Sequence, residues 1–226
     1  MMKARRTLLL CCICSLWMIS SFGQKTQQAK SWEIDLHKAV RQKNVEVYGR
    51  ELTLLNEDHY KGIRLSKYVG EGVAWLKGID FSEGTIEFDV RGEDIKQHSF
   101  VGIAFHAQND TTFDAVYLRP FQFRVEDTIL RKRAIQYISL PDYTWRKLRE
   151  QSPGTYEGSI VPPPDPNGWV HMRIVVNGMT ISTYINDNKE PSLVVNKVTS
   201  THSGKIGFYV ADTSGGDFAN IVVERK

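Results

Sequence analysis

The chain has 226 residues, 29 of them basic against 26 acidic, and its surplus of +3 is Lys3, Arg5 and Arg6 at the very start. Beyond that segment the charges balance, which excludes nucleic acid as a partner, because neutralising a phosphate backbone takes an excess of Lys and Arg. All 3 cysteines (Cys11, Cys12, Cys14) fall in the same segment. The remainder must therefore be held by its core without disulfides, and about 200 residues suffice for that as one domain.

In chain order, Lys3, Arg5 and Arg6 form a positive n-region, Leu8 to Met18 an apolar stretch, and Ser21-Phe22-Gly23 a small-residue cleavage site. This pattern predicts a signal peptide over 1–23, cleaved near Gly23, and a secreted or periplasmic protein. The apolar stretch is too short for a membrane span, and no transmembrane segment is expected after it. Residues 24–31 are polar and read as a flexible leader; 32–226 reads as the folded domain. Trp32, Ile34 and Leu36 alternate, although Leu36 and Val40 also fit the start of a helical turn.

Short β-like runs follow at 45–48, 51–55, 62–66 and 72–77. Over 84–91, Ile86, Phe88 and Val90 alternate with Thr85, Glu87, Asp89 and Arg91. The longest patterned stretch is 100–123, FVGIAFHAQNDTTFDAVYLRPFQF. It predicts two strands, with Phe113, Ala115, Tyr117 and Arg119 sharing one face of the second. Pro120 removes a ladder donor and implies an edge, a bulge or the end of that strand. Further runs at 134–140, 169–176, 180–186, 193–198, 205–210 and 218–224 are separated by turn signals such as Asn177-Gly178 and Ser203-Gly204. Between them, 141–168 holds six of the chain's 8 prolines. A loop of this length is rare in a compact domain unless it has a function, and 142–150 fits one or two helical turns within it. More than ten short strands without a long amphipathic helix predict an all-β fold, a jelly-roll sandwich of two antiparallel sheets.

Four segments, GTIEFDVRG (84–92), the 100–123 stretch, WVHMRIVVNG (169–178) and GKIGFYVADTSGGDFANIVV (204–223), resemble the concanavalin A-like lectin/glucanase superfamily. Within it they are most similar to the laminin-G-like group of secreted bacterial sandwiches known as domain of unknown function 1080, also described as 3-keto-disaccharide hydrolase-like. The resemblance implies two stacked antiparallel sheets, one concave, with carbohydrate as the usual ligand of the concave face. It leaves three functions open: carbohydrate binding, hydrolysis of a di- or oligosaccharide, and a laminin-G-like protein-interaction module.

Family-16 glycosidases carry Glu-x-Asp-x-Glu on one strand. Here Glu87 and Asp89 match and Arg91 stands at the third position. An arginine stays protonated and cannot serve as a general acid, so the motif is incomplete. Glu87, Asp89 and His106 remain the candidate acid/base groups, with His171 positioned to share a face with His106. The strongest ligand cluster is Tyr117, Arg119, Gln122, Arg124, Tyr137, Tyr143, Trp145 and Arg146. Aromatic rings stack on sugar faces, and planar polar groups read the hydroxyls. Asn109-Asp110, Asp165, Asp212 and Asp217 lie in loops and present oxygen ligands for a possible calcium ion, although Asp and Asn are also ordinary turn formers.

Overall fold

A computed structural model describes residues 30–57 and 59–226. The segments expected to be a signal peptide and a leader lie, up to residue 29, outside the described residues. Residues 30–31, assigned to the leader from sequence, instead open β1 (Lys30–Glu33), which pairs antiparallel with the last strand.

The remaining elements are α1 (Leu36–Arg41), β2 (Val45–Tyr48), β3 (Leu52–Glu57), β4 (Tyr60–Leu65), β5 (Gly72–Phe81), β6 (Gly84–Arg91), β7 (Val101–Asn109), β8 (Thr112–Leu118), α2 (Thr128–Arg131), β9 (Ile135–Leu140), α3 (Trp145–Gln151), β10 (Glu157–Gly158), β11 (Val170–Asn177), β12 (Thr180–Ile185), β13 (Leu193–Asn196), β14 (Gly204–Val210) and β15 (Gly216–Arg225). They form two antiparallel sheets. The first has 8 strands, in the order β13-β12-β11-β6-β15-β4-β3 with β1 beside β15; the second has 7, in the order β10-β9-β8-β7-β14-β5-β2. Among the described residues no helix is long and apolar enough to cross a membrane.

The core lies between the sheets and follows from period-two alternation. From the first sheet Ile86, Phe88 and Val90 of β6 and Met172, Ile174 and Val176 of β11 point inward and are fully buried. From the second come Val101, Ile103, Val116 and Phe208; Phe88 and Phe208 meet edge-on across the layer at 5.9 Å. The outer face of the first sheet is polar and half-exposed. The second sheet differs. Nearly every residue of β7, β8 and β9 is buried on both faces, because the segment after β9 folds back over its outer side. Pro120 ends β8 as the first residue of a 3-10 turn, Pro120–Gln122, one of the alternatives its ring geometry allows.

One irregularity redirects a side chain. The registers of β7 with β8 and with β14 both shift near residue 106, and His106 has φ 54°. Plain alternation would put His106 on the outer face with Gly102 and Ala104. The bulge turns it into the interior, where it is fully buried. There Nε2 lies 2.7 Å from the Ser82 carbonyl and Nδ1 lies 3.0 Å from Asp114 Oδ2. The Tyr137 hydroxyl donates to the other Asp114 oxygen at 2.8 Å. Lys197, 5 % exposed, donates to the Thr201 carbonyl and lies 3.5 Å from His106 Nδ1. Burial pushes the Lys197 ammonium down, and the charge of Asp114 opposes that shift.

Candidate functional site

The candidate site is the outer face of the second sheet. Tyr117 of β8 sits opposite Gly102 of β7, which in turn sits opposite Tyr209 of β14. A Cβ on Gly102 would come within 2.8 Å of Tyr117 Cβ, so glycine there lets the two phenols lie side by side, ring centroids 5.8 Å apart. Edge-to-face contacts extend the aromatic floor in both directions. Tyr209 meets Phe113 at 5.6 Å and Phe113 meets Trp75 at 5.7 Å; Tyr117 meets Phe100 at 6.0 Å and Phe100 meets Phe121 at 5.5 Å.

The segment after β9 supplies a lid. Thr144 caps α3, its hydroxyl accepting from the Lys147 N–H, and Leu148 buries the helix against the sheet. Arg149 ties α3 to β10 through Glu157, with Nη2 donating at 2.7 Å and Nε at 3.0 Å. Arg133 approaches the same carboxylate at 3.4 Å. Trp145 stays 39 % exposed, with the Arg146 guanidinium 5.4 Å and the Arg149 guanidinium 4.8 Å from its ring centre. Between lid and floor lies a cavity of about 590 Å³, bordered by Tyr117, Arg119, Tyr209, Glu71, Trp145 and Arg146 among others.

The polar groups of the cavity are held in two sets. Arg119, 4 % exposed, donates to the Arg133 carbonyl (2.7 Å), the Tyr117 hydroxyl (2.9 Å) and Gln136 Oε1 (3.1 Å). Burial pushes its guanidinium down, although it remains a cation at neutral pH. Glu71, just before β5, accepts from the Tyr209 hydroxyl. Burial raises its carboxyl above the ordinary carboxylate range, while Tyr209 and the nearby charge of Arg50 pull it back. The Tyr209 phenol is pushed well above its usual value by burial first and by Glu71 next, so it stays a donor. Removing that donor should raise Glu71 further. A Tyr209→Phe variant is expected to show Glu71 titrating at higher pH by carboxyl-selective NMR; an unchanged titration would contradict the pairing.

The structure brings Tyr117, Arg119, Gln122, Trp145 and Arg146 together around this cavity. Gln122 is oriented so that its amide donates to the Leu130 and Arg133 carbonyls. The other expected ligand residues lie elsewhere. Tyr137 is on the inner face of β9, where register pairs it with Val116, and its hydroxyl is taken by Asp114. Tyr143 packs at the start of the lid, with Lys147 Nζ 4.7 Å from its ring centre. Arg124 is exposed beyond the 3-10 turn and does not border the cavity.

Three expected acid/base groups and one histidine are also placed apart from it. Glu87 and Asp89 point outward from the first sheet, because Ile86, Phe88 and Val90 take the inward positions. His171, opposite Asp89 on β11, shares that outer face, with Nδ1 2.8 Å from Asp89 and Nε2 3.4 Å from Glu87. Asn220 donates to Asp89 as well, at 2.7 Å. These groups form a cross-strand charge ladder on the opposite side of the sandwich from the cavity. His106, turned inward by its bulge, meets neither them nor His171. Arg91, at the third motif position, spans Asp217 and Glu57 with bonds of 2.6–3.0 Å. The loop acids do not converge either. Asp110 accepts from Trp75 Nε1 at 2.8 Å, Asp165 caps its own turn, and Asp217 is held by Arg64 and Arg91. Among the described residues no group of three or more His, Cys, Asp or Glu side chains could hold a metal ion.

The His171 contacts give a pH-dependent outcome. The bond to Asp89 raises its pKa above the usual histidine value, burial opposing. A raised folded-state value stabilises the fold fully below about pH 6.5 and loses that contribution as pH rises through the folded pKa. In His171→Gln the urea midpoint should lose this fall, which sets in near pH 6.5 and continues above it. A profile identical to that of the unsubstituted chain would contradict the contact.

Glu71, Tyr209 and His98 border the cavity without having been read from sequence as site residues, and Asp212, expected as a calcium ligand, borders it too. Tyr209 lies in GKIGFYV, which has the pattern of a core strand, and Glu71 is a lone acid in a turn. The one available signal for Tyr209 was its parity with Gly207 in the final strand pair.

A scan against protein-family models matched none, and a search of curated proteins found no sequence match. Solved structures do match. A family-66 carbohydrate-binding module from Bacillus subtilis superposes with TM-score 0.55 at 13% identity, over 80% of this chain and 98% of that one. A Bacteroides ovatus family-16 endo-glucanase gives TM-score 0.57 at 10% identity, over 85% and 99%. The chain has the concanavalin A-like sandwich fold. A galectin-like protein of unknown function from Bacillus subtilis, TM-score 0.54 at 15% identity over 88% and 100%, extends the likeness to another lectin-like sandwich. At these identities the likeness is one of fold.

Proposed function

We propose that the chain is a secreted or periplasmic carbohydrate-binding or carbohydrate-processing protein whose ligand lies in the cavity between the second sheet and the α3 lid. The observation that carries this reading is Trp145, an exposed indole facing an aromatic floor across about 590 Å³ with polar groups fixed around it. Sugars offer one apolar ring face and a rim of hydroxyls. They are recognised by an aromatic platform together with donors and acceptors held in place by their own partners. The cavity has both. Two of the solved structures of like fold are named as a carbohydrate-binding module and an endo-glucanase. The strand motifs at 84–92 and 204–223 favour the laminin-G-like, 3-keto-disaccharide hydrolase-like group within the superfamily. Calorimetric screening of the folded protein against a broad glycan panel should yield at least one ligand. Silence across the panel, with intact cooperative unfolding, would overturn the reading.

A hydrolytic role for the same cavity is favoured by Glu71, the bordering carboxyl that burial raises toward the range of a general acid, with Asp212 near enough to add to that shift. If the protein is an enzyme, Glu71→Gln should lose turnover by about 100-fold or more while keeping ligand affinity within a few-fold. Full turnover in that variant would remove Glu71 from the chemistry.

A further inference from the structure

Resting on the carbohydrate reading of the cavity, we infer that its saccharide is acidic and that Arg119 receives the sugar carboxylate. Arg119 is almost wholly buried, yet all three of its acceptors are neutral: a carbonyl, a phenol and an amide. Among the described residues no carboxylate stands at ion-pair distance from it. Arg50 and Arg131 also bond only carbonyls, but both are more exposed than Arg119, and four other arginines are paired with carboxylates. Arg64 and Arg91 share Asp217, and Arg133 and Arg149 share Glu157. A buried cation without a counter-charge is unfavourable unless something completes it, and here the open side is a cavity.

The geometry suits a carboxylate. Arg119 has five N–H groups, and its bonds to described residues use three, leaving one on Nη1 and one on Nε. Tyr117 accepts from Arg119, so its own hydroxyl proton is available, and no described residue takes it. Both Nη2 hydrogens are taken, so a carboxylate would accept one remaining guanidinium N–H together with the Tyr117 hydroxyl, whose oxygen lies 2.9 Å from Nη2. On the lid, Arg146 also lacks a described carboxylate partner and is held over Trp145, which would place a second positive charge beside a ring stacked on that indole. The acids that border the cavity are engaged elsewhere. Glu71 is bonded by Tyr209, Asp212 accepts from the Gly70 N–H at 3.0 Å, and the paired phenols stand between Glu71 and Arg119.

The test is calorimetry of the chain with one oligouronide in three forms: free acid, methyl ester, and carboxyl-reduced neutral sugar. A sulfated neutral oligosaccharide of the same length is added, and a neutral glycan panel runs alongside. The free acid is expected to bind at least about 10-fold tighter than the ester or reduced form, with the gap narrowing as salt is raised. Arg119→Gln should bring the acid-to-ester ratio close to one. Arg146→Gln, at an exposed position that threatens no fold, should lower it by about 2- to 5-fold and keeps the test decisive if Arg119→Gln does not fold. Equal binding of acid and ester would overturn the acidic assignment while the carbohydrate reading stands, as would neutral glycans binding when the oligouronide does not. Tighter binding of the sulfated sugar would overturn the choice of a carboxylate. Silence from every saccharide would take down both.

Discussion

Asp114→Ala is expected to destabilise the fold by about 3–5 kcal/mol, the range for removing one partner from a buried charged network. Asp114 is 1 % exposed, and its two oxygens face different residues: Tyr137 on one side and His106 on the other. Lys197 stands beyond His106 Nδ1. Alanine would strip the phenol of its acceptor, leave Nδ1 of a fully buried ring facing an ammonium, and remove the charge that supports that ammonium. Asp114 and His106 are almost wholly buried, so neither finds solvent in place of its partner without rearrangement. Asp114→Asn keeps one acceptor for Tyr137 and should lose less, about half as much. Urea unfolding measures both. A loss under about 1 kcal/mol for Asp114→Ala would mean that water or rearrangement satisfies the cluster, contrary to the packing described.

Trp145→Ala should leave stability within about 0.5 kcal/mol and lower saccharide affinity by about 10- to 100-fold. The two effects separate because Trp145 stands on the cavity side of α3, while Leu148 and the Arg149–Glu157 pair hold the helix to the sheet. The indole provides the stacking surface opposite the Tyr117–Tyr209 floor, and two guanidinium groups fix its plane. Removing it takes away the platform and a polarising neighbour together. Phenylalanine at the position should recover part of the affinity. Unchanged affinity in Trp145→Ala would place the ligand somewhere other than under the lid.

Period-two alternation made much of this fold legible in advance. Ile86, Phe88 and Val90 face the core as their spacing predicts, and the shared parity of Tyr117 and Arg119 puts both on the outer face of the second sheet. The prolines after Leu140 marked the segment that becomes the lid. Alternation failed where the backbone departs from it. The bulge at His106 reverses that residue's face, and a bulge has no reliable signature in a single sequence. It also cannot distinguish the two faces of a strand covered on both sides. Tyr137 and Tyr117 look alike in composition and pattern, yet one bonds to a buried aspartate and the other borders the cavity. Glu87 and Asp89 drew attention through a motif, and Ile86 and Phe88 send them to the far side of the sandwich. Glu71 was missed because its significance comes from Tyr209, which is 138 positions distant in the chain.

The central claim is a place: carbohydrate lies under the α3 lid on the second sheet. Chemical-shift mapping of the labelled protein with its best-binding oligosaccharide tests this most directly. The account predicts that the largest shifts fall on Tyr117, Arg119, Trp145 and Tyr209, with Glu87, Asp89 and His171 unmoved. Shifts centred on that outer ladder of the first sheet, with the cavity residues silent, would contradict it.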